Sequence, residues 1–477
     1  MDKIYLIMPE RIGQINPDIY GVFSEHIGGV IYDGIWVGED SEVENVHGFR
    51  KFIIDRLREA EVPLIRWPGG CFAETYNWRD GIGDRSKRPT RINWWNSCDG
   101  RYEPNIVGTD EFLDFCALCG AKPYIAANLT STTPLDIRDW IDYVNSPEGT
   151  TTMAKLRAEN GHPAPYDVRL WGVGNENWGG GGNMTPQFYA NEYRRYATVM
   201  ENSSKGLELI ACGANAGDYN WTKGLCEGIC EHGAPMHGMA VHYYCGSAGD
   251  TIGFSTDEWN QLIKQASKMQ ELIDRHWSIV KAYGMESKAK LCIDEWGCWH
   301  QDKSGLATKD HLFEQQSTIR DAVVSALTLN IFNNNCDKIR LAAAAQLVNN
   351  LHTLFLSLGK DCITTPTYHV FNMFKSHKAG EAFRVIGPDD ISASASVKDG
   401  EVTLTIANLS PERDYELELD PVGFGIGEGT LTQISDDDLH AHNTFDNPER
   451  VSPVEKASKK VVELPHGAIA AIKIKII

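Results

Sequence analysis

The sequence predicts an α/β protein in which a (β/α)8 barrel of the TIM type is followed by a jelly-roll-like β-sandwich. Three observations support this fold class. From about residue 17 to 375, short apolar runs alternate with amphipathic segments, as in βα units around a parallel sheet. Eight such runs are present, which is the number that closes a barrel. From about residue 380, helical periodicity ends and alternating strand patterns begin.

The eight candidate barrel strands are nearly continuous apolar runs, as expected for parallel strands buried on both faces. The segments between them have helical periodicity, most clearly at 48–60, 109–119, 185–202, 256–283 and 312–333. In chain order, the predicted strands are Asp18–Phe23, Pro63–Pro68, Lys122–Asn128, Arg169–Asn175, Glu208–Asn215, Gly238–Tyr243, Lys290–Glu295 and Leu341–Val348.

The last hundred residues predict an all-β domain. Segments such as SASASVKDGEVTLTIANLS alternate apolar and polar residues around an Asp-Gly turn, a pattern typical of antiparallel strands. The first apolar run, Lys3–Met8, has no helix after it, so we expect it to pair with this domain. The predicted domains are an N-terminal strand over residues 1–16, a catalytic barrel over 17–378 and a β-sandwich over 379–477.

Composition limits the classes of function. The 477 residues include 65 acidic and 45 basic side chains, for a formal charge of −20, so binding to a phosphate backbone is unfavourable. No apolar stretch reaches the eighteen residues of a membrane span, and the N-terminal apolar run is too short for a signal peptide. We therefore expect a cytoplasmic protein with its twelve cysteines reduced, with no nucleic-acid or membrane partner.

Polar side chains follow most of the predicted strands. In a βα barrel, the carboxyl ends of the strands form the functional face. Burial of polar groups there costs free energy unless they bond to one another or to a ligand. These residues are Glu25, Arg66, Asn128, Asn175, Glu176, Asn215, His242, Tyr244, Asp294, Glu295, Gln346 and Asn349.

Two glutamates are the candidate catalytic residues. Glu176 ends the segment LWGVGNE after the fourth run, and Glu295 ends LCIDE in the seventh, 119 residues later. These strands lie on facing sides of an eight-stranded barrel, so the two side chains can converge. A convergent carboxyl pair suits glycoside hydrolysis, in which one group protonates the leaving oxygen and the other attacks or activates water. The alternative interpretation is a structural ion pair with arginine for each glutamate.

Several segments together resemble a known family. WGVGNEN and IDEWG resemble the acid/base and nucleophile motifs of clan A glycoside hydrolases. With INPDIYGVFSEHIGG, IRWPGGCFAETYNWRDGIG, VHYYCG and AAQLVNNL, the chain resembles glycoside hydrolase family 51, the α-L-arabinofuranosidases, over nearly its whole length. GNE alone is a weak motif, but the ordered set is specific.

The resemblance implies a role for each matched residue. Glu176 would be the general acid/base and Glu295 the nucleophile of a retaining, cofactor-free and metal-free reaction. Tyr244 would hold Glu295, and Arg66 would keep it ionised unless it is only part of a structural ion pair. The other implied contacts are Asn175 to the sugar 2-hydroxyl, Glu25 to hydroxyls deep in the pocket, Gln346 at its floor, and Trp94 and Trp95 as an apolar face.

Two positions depart from the family pattern. Cys71 stands where many relatives have asparagine, and a thiol is a weaker hydrogen-bonding group than an amide. The loop after Glu176 contains a run of four glycines, Gly179–Gly182, which permits close backbone approach. Both differences bear on the substrate preference.

The leading hypothesis is release of terminal α-L-arabinofuranosyl groups from arabinoxylan- or arabinan-derived oligosaccharides. Members of the family often form hexamers, so the resemblance also implies a homo-oligomer. Three alternatives remain open: a β-xylosidase or endoglucanase on the same barrel, a metal-dependent barrel hydrolase using His242, Asp294 and Glu176, and a non-catalytic sugar-binding protein.

Overall fold

The structure is a computed structural model that describes residues 2–246, 248–300, 311–458 and 460–477. Eight parallel strands close into a barrel, in which each strand pairs with its sequence neighbours and the eighth pairs with the first. The predicted barrel is therefore confirmed. In chain order, the barrel strands are Gly21–Phe23, Leu64–Trp67, Lys122–Ala127, Leu170–Val173, Glu208–Asn215, Gly238–Gly246, Lys290–Trp299 and Ile339–Ala345.

Two predicted boundaries need correction because polar caps begin helical turns there. The first predicted strand, from Asp18, opens instead with the 3-10 helix Pro17–Tyr20, whose first amides are capped by the Asn16 side chain. The helix predicted from Leu312 begins only at Ile319, where Thr318 and Asp321 form a capping box. The sixth barrel strand extends to Gly246 and the seventh to Trp299, beyond their predicted ends at Tyr243 and Glu295.

The helices between the strands pack their apolar faces on the barrel. The helix after the first strand, for example, buries Ile53, Ile54 and Leu57, which follow helical spacing. The helices are Lys51–Glu59, Asn96–Asp99, Thr109–Cys119, Pro134–Asn145, Thr152–Glu159, Pro186–Glu201, Tyr219–His232, Thr256–Ala282, Ile319–Asn333 and Pro366–Phe374. The other 3-10 turns are Cys71–Thr75, Trp78–Gly81, Arg85–Lys87 and Lys375–His377.

The C-terminal region forms one hydrogen-bonded sheet of nine strands that includes the N-terminal strand. Strand Asp2–Gln14 runs parallel to Tyr415–Val422 and antiparallel to Glu381–Ile386, as expected for the first apolar run. Strands from both halves of the sheet share one apolar core, so the sheet folds over itself. Its spatial order is Val454–Ala457, Ile426–Ile434, Ile469–Ile476, Glu401–Asn408, Ile391–Lys398, Glu381–Ile386, Asp2–Gln14, Tyr415–Val422 and Val461–Leu464.

One buried helix connects the barrel to this sheet. Every residue of Ile319–Asn333 is buried, so its polar side chains as well as its apolar ones face the protein interior. Its Asn330 and Asn333 amides donate to the Ser392 and Ser394 hydroxyls of the sheet, at 3.1 and 3.0 Å. The helix that precedes the eighth barrel strand thereby anchors the sheet domain.

Two of the sequence-based expectations concern membrane-spanning helices and the state of the cysteines. Within the described ranges, no helix is both long and apolar enough to cross a bilayer. All twelve cysteines lie in these ranges, and none forms a disulfide.

Candidate active site

Glu176 and Glu295 meet at the carboxyl end of the barrel beside the same nitrogen of the His242 imidazole. His242 Nδ1 lies 2.9 Å from Glu176 Oε1 and 3.5 Å from Glu295 Oε2. One carboxylate oxygen of Glu176 lies within 4.8 Å of one of Glu295. The two side chains therefore open onto the same space, although they lie on the fourth and seventh βα units.

Glu295 lies inside the seventh strand, at a point where the register with both neighbouring strands shifts, and it accepts two hydrogen bonds. Arg66 Nη1 donates to its Oε1 at 2.7 Å, and the Tyr244 hydroxyl donates to its Oε2 at 2.8 Å. On the adjacent sixth strand, His242 is the register partner of Glu295, and Tyr244 lies two residues further on, hence on the same face. The carboxylate is only 7% exposed. Strand pairing thus determines the position of this group.

Glu176 lies in a turn beyond the end of the fourth strand. Its backbone has a φ of +43°, in the left-handed region that non-glycine residues seldom adopt. Its side chain is 19% exposed, more than that of Glu295. Besides His242, its neighbour is the Cys71 thiol, with Sγ 3.7 Å from Oε2. This carboxyl group is the more accessible of the two.

Two cations and three carboxylates form a buried charge cluster around the site. Burial lowers the pKa of His242, but the charges of Glu295, Asp294 and Glu176 outweigh it and raise that pKa to about 10. Burial raises the pKa of Asp294, but the charges of Arg66 and His242 outweigh it and hold that pKa below its usual value. For Glu295, burial and the charge of Glu176 raise the pKa, while His242 and Arg66 oppose the rise.

Glu25 and Gln346 form a second polar pair beside the first. Gln346 Nε2 donates to Glu25 Oε2 at 3.0 Å, and Gln346 Oε1 accepts from the Glu25 amide at 3.0 Å. The other carboxylate oxygen accepts from the Phe72 amide and from the Trp95 indole. Burial and the charge of Glu295 raise the pKa of Glu25 to about 7.

Asn175 has one unoccupied donor at the site. Its Oδ1 accepts from Arg66 Nη2 at 2.7 Å. Its Nδ2 is buried and has no hydrogen-bond partner among the described residues. A buried amide nitrogen without a partner is costly, so this group is a ready donor for a ligand hydroxyl.

Glycines 69 and 70 permit the close approach of these groups. A Cβ on Gly69 would lie 2.5 Å from Glu25 Cγ, and one on Gly70 would lie 2.9 Å from Glu295 Oε1. Gly180 packs equally closely against two other side chains. A Cβ at this position would lie 3.3 Å from the Trp94 ring and 2.6 Å from Cys71 Sγ. The glycine run after Glu176 therefore packs against both Cys71 and Trp94.

Five of the eight residues predicted for the site form one contact network, namely Glu176, Glu295, Asn175, Tyr244 and Cys71, and Glu25 with Gln346 forms a second pair beside it. Trp94 is the most peripheral, because Trp95 rather than Trp94 makes the hydrogen bond to Glu25. The analysis of strand ends included His242 and Asp294, but their part in bridging the glutamates depends on tertiary contacts. Glu74 was missed; its only sequence signal is a carboxylate within the apolar stretch CFAE after the glycine pair.

Glu176, His242 and Glu295 also have the residue types and spacing of a metal site. The charges do not favour that interpretation. A metal needs a neutral imidazole, whereas His242 has a raised pKa of about 10 and keeps its proton. Arg66 already lies against Glu295 at the position of a counter-ion. The donor set therefore fits protonated hydrogen-bonding partners better than a divalent ion.

A βα barrel with two convergent glutamates at the carboxyl ends of its fourth and seventh units defines a class of glycoside hydrolases. Comparisons with known proteins identify the family within this class. Residues 56–261 match the model of the α-L-arabinofuranosidase 1 domain, and residues 294–468 match that of the α-L-arabinofuranosidase C-terminal domain.

Individual relatives agree with these domain matches. An intracellular exo-α-L-arabinofuranosidase of Bacteroides ovatus is 35% identical, with 97% of this chain and 93% of the relative covered. The crystal structure of a family 51 arabinofuranosidase from Xanthomonas axonopodis pv. citri is 34% identical, with a TM-score of 0.94 over 100% of both chains. An arabinose complex of a Thermotoga maritima α-L-arabinofuranosidase is 26% identical, with a TM-score of 0.88 over 100% of both chains. The chain belongs to glycoside hydrolase family 51, the α-L-arabinofuranosidases.

Proposed function

We propose that the enzyme releases terminal non-reducing α-L-arabinofuranosyl groups from arabinoxylan- or arabinan-derived oligosaccharides, with retention and by double displacement. The observation that carries this proposal is that one carboxylate oxygen of Glu176 lies within 4.8 Å of one of Glu295. An inverting enzyme separates its two carboxyl groups by about 6.5–9.5 Å to admit a water between them, whereas a retaining enzyme holds them about 5–5.5 Å apart.

In the first step, Glu295 attacks the anomeric carbon while Glu176 protonates the glycosidic oxygen. A bond forms between a Glu295 oxygen and the anomeric carbon, and the carbon–oxygen bond to the leaving group breaks with its electron pair. In the second step, Glu176 takes a proton from water, the water oxygen bonds to the same carbon, and Glu295 leaves. The two inversions give net retention.

The charge cluster supports this assignment of roles. Arg66 and a protonated His242 carry two positive charges, which lie against Asp294 and Glu295 and favour the carboxylate form of the nucleophile. Glu295 is the better-stabilised anion because Arg66 and Tyr244 donate to its two oxygens. Glu176 is the more exposed carboxyl group, which suits the residue that has to reach the glycosidic oxygen and later a water.

Groups that can bind sugar hydroxyls lie around Glu176 and Glu295. The unpaired Asn175 Nδ2 suits the 2-hydroxyl, where a hydrogen bond can strengthen in the transition state. Glu25 and Gln346 offer further polar atoms to the ring, and Cys71 and Trp94 form the wall next to the glycine run. Together these groups would form a subsite for one terminal sugar.

The cellular setting and the assembly are also part of the proposal. Because the Bacteroides ovatus relative is named intracellular, we place the enzyme in the cytoplasm, where oligosaccharides rather than polymers are available. A homo-oligomer, with a hexamer as one form, stays a prediction. Light scattering after gel filtration would measure the mass of the assembly.

Substrate panels and product stereochemistry test the proposal. We expect turnover of para-nitrophenyl α-L-arabinofuranoside far above that of the β-xylopyranoside, and proton NMR should show the α-anomer of arabinose first. Preference for the xylopyranoside would favour a β-xylosidase, and first appearance of the β-anomer would contradict double displacement. Loss of activity on exhaustive EDTA treatment would favour a metal-dependent hydrolase.

A further inference from the structure

The acid/base turn is held in place by a buried carboxylate to which we assign no contact with the sugar. Glu74 lies in the 3-10 turn Cys71–Thr75 after the second strand and is fully buried. Its Oε1 accepts from the Asn175 amide at 2.6 Å and from Asn177 Nδ2 at 3.0 Å. These two residues flank Glu176 on either side, so one carboxylate oxygen holds both ends of the turn.

The other oxygen of Glu74 ties this turn to the third βα unit. It accepts from the Leu129 and Thr130 amides at 2.9 and 2.7 Å, just beyond the third strand. Four donors therefore surround one carboxylate, and the second, third and fourth βα units are connected through it. Since Glu176 adopts a left-handed φ, its conformation depends on such external support.

Two further bonds extend the same support to the glycine run. Asn177 Nδ2 and Thr130 Oγ1 both donate to the Gly181 carbonyl, at 2.7 and 2.6 Å. A Cβ on Gly181 would lie 1.8 Å from the Asn175 carbonyl oxygen, so this segment folds tightly back on the turn. The 3-10 turn that carries Glu74 also presents Cys71 to Glu176 Oε2.

We propose that Glu74 is a positioning residue that holds the Glu176 turn in the geometry needed to protonate the leaving group. This inference rests on the proposed role of Glu176 as acid/base. The expected signature is a dependence on the leaving group, because misplacement of a general acid slows departure of a poor leaving group far more than that of an activated one.

The main test compares Glu74→Gln with the parent on two substrates. Glutamine has nearly the shape of glutamate, but one of its two terminal groups is an NH2 donor instead of an acceptor oxygen. That donor would face backbone amides that also donate. We expect kcat/KM on an arabinofuranosyl xylo-oligosaccharide to fall at least about tenfold more than on para-nitrophenyl arabinofuranoside. Asp110→Asn is the matched control: Asp110 is also buried and also accepts hydrogen bonds, from Tyr143 and Tyr166, but away from Glu176. It should lower Tm without any such dependence.

A milder variant keeps the test valid if Glu74→Gln fails to fold. Thr130→Val removes only the hydroxyl that donates to Gly181 and should show the same dependence on a smaller scale. Equal losses on both substrates in Glu74→Gln and Thr130→Val would overturn the positioning role. Glu176→Ala is measured alongside: if it shows no dependence on the leaving group, the proposed function fails; if it does and the Glu74 variant does not, only this inference fails.

Discussion

Glu295 and Glu176 reach the same space from two regions that are built differently. Glu295 lies within a ten-residue strand, and its neighbours His242 and Tyr244 are placed by the ladder of the adjacent strand. Glu176 lies three residues beyond a four-residue strand, in a left-handed conformation, and its turn is held by side chains from other βα units. A nucleophile needs an invariant line of attack, whereas an acid/base also has to admit the leaving group and then water. The strand position of Glu295 suits the first requirement, and the more open turn that carries Glu176 suits the second.

Replacement of Glu295 should have the largest effect, because it removes the covalent step. We expect Glu295→Ala to lower kcat by about 10⁴-fold or more, with substrate binding retained. Azide can occupy the vacated space and attack directly, so its product should be the inverted glycosyl azide. Binding and hydrolysis like the parent's would point to a site that does not use this carboxylate.

Replacement of Glu176 should depend on the substrate. Glu176→Ala should slow substrates with poor leaving groups by about 10²–10⁴-fold and activated aryl arabinofuranosides much less in their first step. Azide added to this variant would intercept the covalent intermediate, so its product should retain configuration, opposite to that of the Glu295 variant. Equal losses on both classes of substrate would exclude Glu176 as the acid.

Loss of a single donor to the nucleophile should have an intermediate effect. Tyr244→Phe removes the hydroxyl that donates to Glu295 Oε2, and a hydrogen bond to a charged group corresponds to about 10–100-fold in kcat/KM. Tyr243→Phe is the matched control, since that hydroxyl donates to the Gln265 carbonyl instead. Similar losses in the two variants would show that Tyr244 acts only through packing.

The bridging imidazole should make stability depend on pH in a defined direction. The pKa of His242 rises from 6.5 to about 10 on folding, so its stabilisation is complete below about pH 6.5 and is lost as the pH rises through 10. The Tm difference between the parent and His242→Asn should thus be largest near pH 6 and shrink toward pH 10.

A second buried histidine provides a control of opposite sign. Burial lowers the pKa of His276, so its stabilisation is present above the unfolded pKa and is lost as the pH falls. The Tm difference for His276→Asn should therefore decrease toward acid pH. A parallel pH dependence for the two variants would contradict the proposed protonation of His242.

The smallest effect should come from the thiol beside Glu176. Cys71→Asn replaces the thiol with an amide of stronger hydrogen-bonding capacity, and we expect a change in KM of a few-fold with kcat largely kept. A Cβ on Gly180 would lie only 2.6 Å from Sγ, so space is limited on that side. A collapse of Tm instead of a change in KM would identify Cys71 as a packing residue.

The sequence alone determined the order of the architecture and the identity of the polar residues at the strand ends. A strand that is buried on both faces is apolar at every position, and a strand that is buried on one face alternates apolar and polar residues. Both patterns are local, so the eight barrel strands and the later sheet could be predicted. Glu176 and Glu295 could be predicted for a related reason, because each ends a local apolar run.

Only the tertiary structure decided which of these groups touch. The sharing of His242 between the two glutamates and the four donors on Glu74 join residues up to about a hundred positions apart in the chain. A hydrogen bond depends on separations of a few tenths of an ångström, which arise from barrel closure and loop packing rather than from periodicity. Glu74 shows this most clearly: the sequence predicted no role for it, and only the assembled barrel places its carboxylate against the amides of the third and fourth βα units.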